Sequence, residues 1–387
     1  MQGPEVALRR EAVRRRLAGE SAEAIARDLG RTRQWVSKWT RRYDAADPGW
    51  ARGRSRAARR IGNRTPGDVE TLVLEIRSRL EANPWAQVGA PAIAWELDKL
   101  GAVVVPLRTI EAILNRAGAT RRERPQRRLS KGVPYPSPRA ERAGDVVQVD
   151  LVGPRYLQGG ARFLALTQID VCSHHAGIEI VEDRGDARVL AALGRLWGRY
   201  GVPCRIQFDN GGPFTAPTGL GEVVRVCLHQ GATPVFIPPR EPWRNGIIEH
   251  FNDTFDRRFF RHERFASLRH LSDRTDAFER FHNAQHRYRA TGRRAPDETP
   301  PVRRRQPIAI ETIPDGWPDR GRVEFIRFIR SDHKLRLLGR TIQMPDGSAY
   351  RYLTATLDFS LPEPHNLLIS DDHGEMITTT RLARPRT

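Results

Sequence analysis

The sequence predicts a multidomain chain: all-α N-terminal units, a central α/β core and a small C-terminal β-barrel. Three patterns along the chain predict this order. Apolar residues recur at helical spacing up to about residue 119, strand-like and helix-like patterns alternate from 144 to 300, and only short alternating runs follow from 321. The 387 residues suffice for several domains, of which at least one has a sizeable core.

The charge of the chain indicates its partner. A formal net charge of +19 and a pI near 11.0 favour a polyanion, most simply nucleic acid, although a ribosomal or chromatin-packaging protein would have a similar charge. The three cysteines show no paired spacing, and we find neither a signal peptide nor an apolar run long enough for a membrane span. We therefore expect a soluble, cytoplasmic, bacterial-type protein that associates with the nucleoid and has no membrane partner.

Residues 1–46 predict a DNA-binding helix-turn-helix. Ser21 and Thr32 are suitable N-caps for two short helices, and Gly30 supplies the turn between them. A helical hairpin with a solvated basic face is the alternative. The residues of this unit that we expect to contact DNA are Arg31, Arg33, Gln34, Ser37, Lys38, Arg41 and Arg42.

A second helical unit and two basic linkers precede the core. Residues 47–67 have the composition of an exposed basic linker, and residues 68–119 predict three helices that form either a second helix-turn-helix or a spacer. Residues 120–143 are rich in proline and cations, which favours an extended segment along a phosphate backbone. The cations of this linker expected to contact DNA are Arg121, Arg122, Arg127, Arg128 and Lys131.

Three carboxylates stand out in the core, residues 144–300. Asp150 ends a run in which Val147 and Val149 alternate with polar residues, so its carboxylate is expected on the opposite face from Val149. Asp209 ends a second strand-like run and precedes an Asn-Gly turn. Glu249 lies in the first turns of a predicted helix that follows Asn245.

Carboxylates that converge from different elements repel one another unless cations lie between them. Oxygen ligands of this kind suit Mg²⁺ or Mn²⁺, and two such ions can stabilise both oxygens of a phosphoryl displacement. The alternative for each residue alone is structural, because Asp commonly forms turns and Glu commonly complements the dipole of a helix N-terminus.

The flanking residues strengthen the catalytic interpretation. The segments DNGGPF (209–214) and PWRNGIIEHFN (242–252) closely resemble the signatures of Asp-Asp-Glu insertion-sequence transposases and retroviral-type integrases, and the spacing of the three carboxylates agrees. The resemblance implies a ribonuclease-H-like core with two Mg²⁺ or Mn²⁺ ions held by Asp150, Asp209 and Glu249. In the family, lysines follow the Glu on its helix, whereas Asp253 and Asp256 follow it here.

The implied function is metal-dependent cleavage at the ends of a DNA element and transfer of the freed 3′-hydroxyl into target DNA. Joining two ends to one double-stranded target implies at least a dimer on DNA. Asn210 and Asn245 are expected either to orient the catalytic loops or substrate, or only to form their turns. The competing hypotheses are a domesticated transposase that acts as a sequence-specific DNA-binding regulator, and a metal-dependent nuclease without strand transfer.

Two further patterns have weaker interpretations. His282 and His286 have the spacing of a metal pair, and Cys172 lies near two histidines, but buried or surface roles are favoured for all of them. After a linker at 301–320, residues 321–387 predict a small β-barrel that either binds DNA or is structural.

Overall fold

The structure is a computed structural model in which the chain forms two compact units, Met1–Arg64 and Thr65–Thr387. Within the residues described, no helix has both the length and the apolar character needed to cross a membrane. The described residues are 4–52, 65–120, 132–211, 214–216, 219–299, 305–362 and 366–382.

The first unit contains three helices: α1, Pro4–Leu17; α2, Ala22–Asp28; and α3, Arg33–Arg42. The side chains of Ser21 and Thr32 accept hydrogen bonds from backbone N–H groups in the first turns of α2 and α3, each at 3.2 Å, so both predicted caps are present. The side chains of Ala12, Ile25 and Val36 pack together in the core of this unit. The predicted helix-turn-helix is therefore confirmed as a fold.

Three helices also form where the sequence predicts them after the first linker: α4, Gly67–Glu81; α5, Ala90–Lys99; and α6, Leu107–Arg116. They pack around their own apolar cluster, which includes Val73, Ile93 and Ile110. The loop between α4 and α5 contacts the core through Trp85, whose Nε1 donates to Glu263 Oε1 at 2.8 Å. This region is thus docked on the core.

The core is built on one mixed sheet. Its first three strands are antiparallel, and β4 and β7 then add in parallel on the other side of β1. A two-stranded pair, β5 and β6, lies apart from this sheet. The strands are β1, Val146–Tyr156; β2, Arg162–Asp170; β3, Ala176–Val181; β4, Arg205–Phe208; β5, Thr215–Ala216; β6, Gly219–Leu220; and β7, Thr233–Phe236.

Helices cover both faces of the sheet. One apolar cluster joins α7, Asp186–Tyr200, and α8, Glu222–His229, to the face that carries Val147 and Val149. The other joins α9, Gly246–Phe255, and α10, Leu268–Gln285, to the opposite face, and one π-helical turn, Asp256–Phe260, follows α9. Because side chains alternate along a strand, the even-numbered residues 148 and 150 of β1 lie on the face that α9 covers.

The C-terminal strands extend the same sheet. In the described residues the strand order is β13-β12-β11-β8-β7-β4-β1-β2-β3, with β8 parallel to β7. The remaining hairpin, β9 with β10, pairs separately. The strands are β8, Arg322–Phe328; β9, Lys334–Leu337; β10, Arg340–Gln343; β11, Tyr352–Asp358; β12, Leu367–Ser370; and β13, Met376–Thr380.

The predicted separate β-barrel is therefore not confirmed. The open edge of β7 offers backbone groups that β8 satisfies, and the Phe236 and Phe325 rings stack with centroids 5.1 Å apart. Val323 and Leu353 share an apolar cluster with the core helices, so the C-terminal strands and the core have one hydrophobic interior.

Candidate active site

Asp150 lies in β1 on the face that α9 covers, as the alternation predicts. Its Oδ2 accepts a hydrogen bond from Asn252 Nδ2 at 2.7 Å, and its Oδ1 accepts one from the Leu151 backbone N–H at 2.8 Å. Asn252 Oδ1 in turn accepts from the Thr167 hydroxyl at 2.9 Å. The amide of Asn252 thus connects α9 to two strands and fixes the direction of the Asp150 carboxylate.

The docking of α9 on the sheet is specific. The Ile248 backbone N–H, an N–H of the first turn that has no partner within the helix, donates to Gln148 Oε1 at 3.0 Å. Phe251 and Phe255, on the same helix, are fully buried against the sheet. These contacts place the first turn of α9, which carries Glu249, over the face of β1 that carries Asp150.

Asp209 directly follows the end of β4. Its Oδ1 accepts a hydrogen bond from the Gly211 backbone N–H at 3.1 Å, which closes the predicted turn. A Cβ at Gly211 would lie 3.1 Å from Asp209 Oδ2, so a side chain there would crowd the carboxylate. Asn210 points away from this turn, and its Nδ2 donates to the Ile237 carbonyl at 2.5 Å.

Asn245 supports the start of α9. It is buried, and its Oδ1 accepts a hydrogen bond from Gln207 Nε2 at 3.0 Å. The same Gln207 nitrogen donates to the Arg244 carbonyl at 3.2 Å. Gln207 belongs to β4, so the turn before Glu249 is tied to the strand that ends at Asp209.

The electrostatics of Asp150 connect the three carboxylates. Burial raises the pKa of Asp150 above its ordinary value, and the negative charges of Asp209 and Glu249 raise it further. The hydrogen bonds from Leu151 and Asn252 act in the opposite direction. The charges of the two other acids thus disfavour ionisation of Asp150.

The three carboxylates do not surround a common point in the structure. Among the described residues, no group of three or more His, Cys, Asp and Glu side chains is arranged so that it could hold a metal ion. The donor set nevertheless fits a hard divalent cation, because it consists of carboxylates whose mutual repulsion a cation would remove. Glycine at 211 also leaves room beside Asp209 that a side chain would occupy.

The candidate DNA-contacting residues of the first unit divide into two groups. Arg33, Gln34, Lys38 and Arg41 are exposed, and Arg33 Nε lies 2.8 Å from Glu23 Oε1. Arg31, Ser37 and Arg42 are half-buried, with Arg31 paired with Glu5 and Arg42 over the Trp39 ring. The linker candidates Arg121, Arg122, Arg127, Arg128 and Lys131 lie outside the described residues.

The histidine pair of α10 and the segment that follows it serves packing. His282 Nε2 lies 2.6 Å from the Tyr288 hydroxyl, and His286 Nε2 lies 2.8 Å from the Trp85 carbonyl. Burial lowers the pKa of His282, and it lowers the pKa of His286 to about 4. Both rings are thus neutral at physiological pH and fit the packing role that the sequence favours.

Sequence reasoning missed several residues around the site. Asn252 lies within the Glu249 segment and offered a signal, because it follows Glu249 at i+3 on one helical face. Thr167 gave no signal beyond its strand. Asp256, in the π-helical turn after α9, pairs with Arg155 of β1 at 2.6 Å and with Arg261 at 2.7 Å.

Two segments of the chain match known family models. Residues 230–296 match the family model described as "Integrase core domain", and residues 4–50 match the one described as "Homeodomain-like domain". These segments are thus similar to part of an integrase core and to a homeodomain-like domain. The first match includes Glu249 and Asn252, whereas Asp150 and Asp209 precede it.

Several solved structures are similar to this chain at low identity. The magnesium complex of the HTLV-2 integrase catalytic core domain is 12% identical, with a TM-score of 0.32, covering 42% of this chain and 99% of that one. The simian T-cell lymphotropic virus intasome with PP2A regulatory subunit B56 gamma is 14% identical, with a TM-score of 0.37, covering 77% and 96%. The catalytic core domain of BIV integrase is 16% identical, with a TM-score of 0.30, covering 40% and 92%.

Proposed function

We propose that this protein is a DNA transposase of the Asp-Asp-Glu class, which cleaves at element ends and transfers the 3′-hydroxyl into target DNA. One observation carries the proposal: Asn252, on the helix that carries Glu249, fixes the Asp150 carboxylate within a chain whose residues 230–296 match an integrase core domain. The charges of Asp209 and Glu249 also raise the pKa of Asp150. A site that concentrates negative charge suits a divalent cation rather than a DNA phosphate alone.

Asp150, Asp209 and Glu249 are proposed to hold two Mg²⁺ or Mn²⁺ ions. When bound, such ions activate water or a 3′-hydroxyl and stabilise the leaving oxygen of a phosphodiester. The residues of the chain supply the positioning. Asn252 keeps one Asp150 oxygen turned toward α9, while Gln207 holds the turn that precedes Glu249.

Because the described arrangement does not bring three acids around one point, closure of the site on cation and DNA is part of the proposal. Closure requires the Asp209 turn to shift and the Glu249 side chain to turn toward Asp150, since the start of α9 is already bonded to β1 through the Ile248 N–H. The Asp209 turn lies at the end of a strand, where a loop absorbs such a movement more readily than a strand inside a sheet.

Recognition of the element ends is assigned to the exposed side of α3. Arg33, Gln34, Lys38 and Arg41 present hydrogen-bond donors to solvent from one short helix, the arrangement by which a recognition helix reads the major groove.

Each reaction joins two element ends to one target, which implies a dimer or a larger assembly on DNA. The net charge of +19 favours contact with the phosphate backbone of the element ends and of the target DNA.

The experiment uses the full chain and DNA carrying the native flanks of its gene. Cleavage and strand transfer are measured with Mg²⁺ for wild type, Asp150→Asn, Asp209→Asn and Glu249→Gln. Each variant is expected to lose at least about a thousandfold in rate, because positioned metal ions supply several kcal/mol of transition-state stabilisation. Asp253→Asn is the matched control, since Asp253 is on the same helix but pairs with Arg257 at 2.7 Å.

Three results would count against the proposal. Specific binding of the flanks by a wild type that cleaves nothing would support the regulator hypothesis. Cleavage without joined products would support a nuclease. Equal activity of the three site variants and Asp253→Asn would show that the chemistry is located elsewhere.

A further inference from the structure

The C-terminal strands reach the Asp209 turn through Arg327 of β8. Arg327 Nη2 donates to Asn210 Oδ1 at 3.0 Å, and Nη1 donates to the Ile237 carbonyl at 3.2 Å. Asn210 Nδ2 donates to that same carbonyl at 2.5 Å. These three contacts form a closed set of hydrogen bonds around the residue that directly follows Asp209.

Extending a sheet does not require this arginine. Strand pairing uses backbone groups, whereas a cation removed from water costs free energy unless its donors are satisfied. Arg327 Nη1 also donates to its neighbour, the Ile326 carbonyl, at 2.9 Å, so its known partners are neutral oxygens. Burial lowers the pKa of Arg327 to about 10, which still leaves it charged at neutral pH.

Tyr352 of β11 makes a similar contact with the turn before α9. Its hydroxyl donates to Glu241 Oε2 at 2.7 Å and accepts from Arg244 Nη2 at 2.8 Å. The Arg244 guanidinium also lies over the Tyr352 ring, 4.7 Å from its centre. The Arg244 carbonyl is one of the two groups that Gln207 holds, and α9 with Glu249 begins two residues later.

We propose that Arg327 and Tyr352 are positioning residues, by which the C-terminal strands set the places of Asp209 and Glu249. The inference rests on the proposed function, because it gives those two carboxylates their catalytic role. It assigns the C-terminal region a part in the active site, in addition to any contact with DNA.

The test combines amide hydrogen exchange with activity, in the full chain. Arg327→Met removes the donors and keeps much of the aliphatic length, and it is expected to speed exchange at least fivefold in peptides spanning 209–211, with little change elsewhere. Tyr352→Phe removes only the hydroxyl and is expected to speed exchange across 241–249. Arg327→Lys keeps one donor group and is expected to give an intermediate value.

Two controls match these variants. Arg330→Met removes an exposed arginine three residues along the chain and is expected to leave exchange at 209–211 unchanged. Tyr135→Phe removes a buried hydroxyl that has no hydrogen-bond partner among the residues that the structure describes, while the Tyr135 ring still packs on Tyr352 with centroids 5.1 Å apart. It is expected to leave exchange at 241–249 unchanged.

In the activity measurements, the positioning role predicts that Arg327→Met and Tyr352→Phe need a higher Mg²⁺ concentration for half-maximal rate. Their affinity for DNA that carries an element end should stay within twofold of wild type. Unchanged exchange at 209–211 and 241–249 in these variants would overturn the inference, whether or not the wild type cleaves DNA. If the wild type cleaves no DNA but the two variants still exchange faster at both segments, the contacts are confirmed and only the proposed function is rejected.

Discussion

Asp150 and its two partner carboxylates are held in different ways. Asp150 lies inside β1, opposite Thr167 of β2, and its carboxylate is fixed by Asn252. Asp209 follows the last residue of a strand, and Glu249 lies in the first turn of a helix, so both depend on the loops beside them. A substitution near Asp150 should therefore change the direction of one side chain, whereas substitutions near the other two should shift a segment of backbone.

Among substitutions beside the three carboxylates, the largest effect is expected from Asn252→Ala, which tests how the Asp150 side chain is held. The variant removes the donor to Asp150 Oδ2 and the acceptor of Thr167. A hydrogen bond to a charged group contributes about 1.5–3 kcal/mol, so the strand-transfer rate should fall about 10- to 100-fold. Thr254→Val is the control, because its hydroxyl donates to the His250 carbonyl of the same helix at 3.0 Å, away from Asp150.

Asn252→Ala should leave exchange at 209–211 unchanged, since it acts on a side chain inside the sheet. A rate equal to that of Thr254→Val would show that the direction of the Asp150 carboxylate is not set by Asn252.

A smaller effect is expected from Gly211→Ala, which tests the loop beside Asp209. The new Cβ would lie 3.1 Å from Asp209 Oδ2, so the turn or the carboxylate must shift by a few tenths of an ångström. Since displacements of about 1 Å can cost 10²-fold, we expect a loss of roughly three- to tenfold in rate. The measurement is the single-turnover cleavage rate at saturating Mg²⁺.

Gly198→Ala provides the matched control. Its Cβ would meet nothing within 4 Å, and it lies within α7, where alanine stabilises a helix by up to about 1 kcal/mol relative to glycine. If Gly211→Ala cleaves as fast as Gly198→Ala, the space beside Asp209 has no role in the reaction.

The smallest effect concerns stability and pH. Because burial and two negative neighbours raise the pKa of Asp150, ionising it costs more in the folded than in the unfolded protein. The contribution of Asp150 to the free energy of unfolding therefore falls as pH rises from the ordinary pKa of an Asp through the raised pKa of the folded protein. At pH 7 without divalent ions, Asp150→Asn should melt slightly above wild type.

Added Mg²⁺ should reverse that order. A cation that binds the folded site stabilises the wild type by mass action, whereas Asp150→Asn lacks one ligand and should gain less. Thermal denaturation at pH 7, with and without Mg²⁺, measures both parts. Equal shifts in the two proteins would show that the stabilising ion binds away from Asp150.

Local signals predicted much of this architecture. The caps at Ser21 and Thr32, the alternation at Val147 and Val149, and the turn after Asp209 each act within a few residues, and each feature forms as the sequence indicates. Periodicity states which face of an element is apolar, and that information is complete within the element.

The pairing of the C-terminal strands was not predictable in this way. The alternation in β8 fits a strand that closes a barrel and equally one that pairs with the free edge of β7, because both bury Val323 and Phe325. The same limit applies to the site. Arg327 and Tyr352 reach the turns beside Asp209 and before α9 from strands far along the chain, and no local pattern encodes such contacts.

The most direct test of the account is where manganese binds. Crystals of the full chain with end DNA and Mn²⁺, measured at the manganese absorption edge, should show anomalous peaks in contact with Asp150, Asp209 and Glu249. The turn after β4 and the Glu249 side chain should lie closer to Asp150 than in the structure described here. Manganese bound only elsewhere, with the three carboxylates left apart, would contradict the shared cation site on which the proposed function depends.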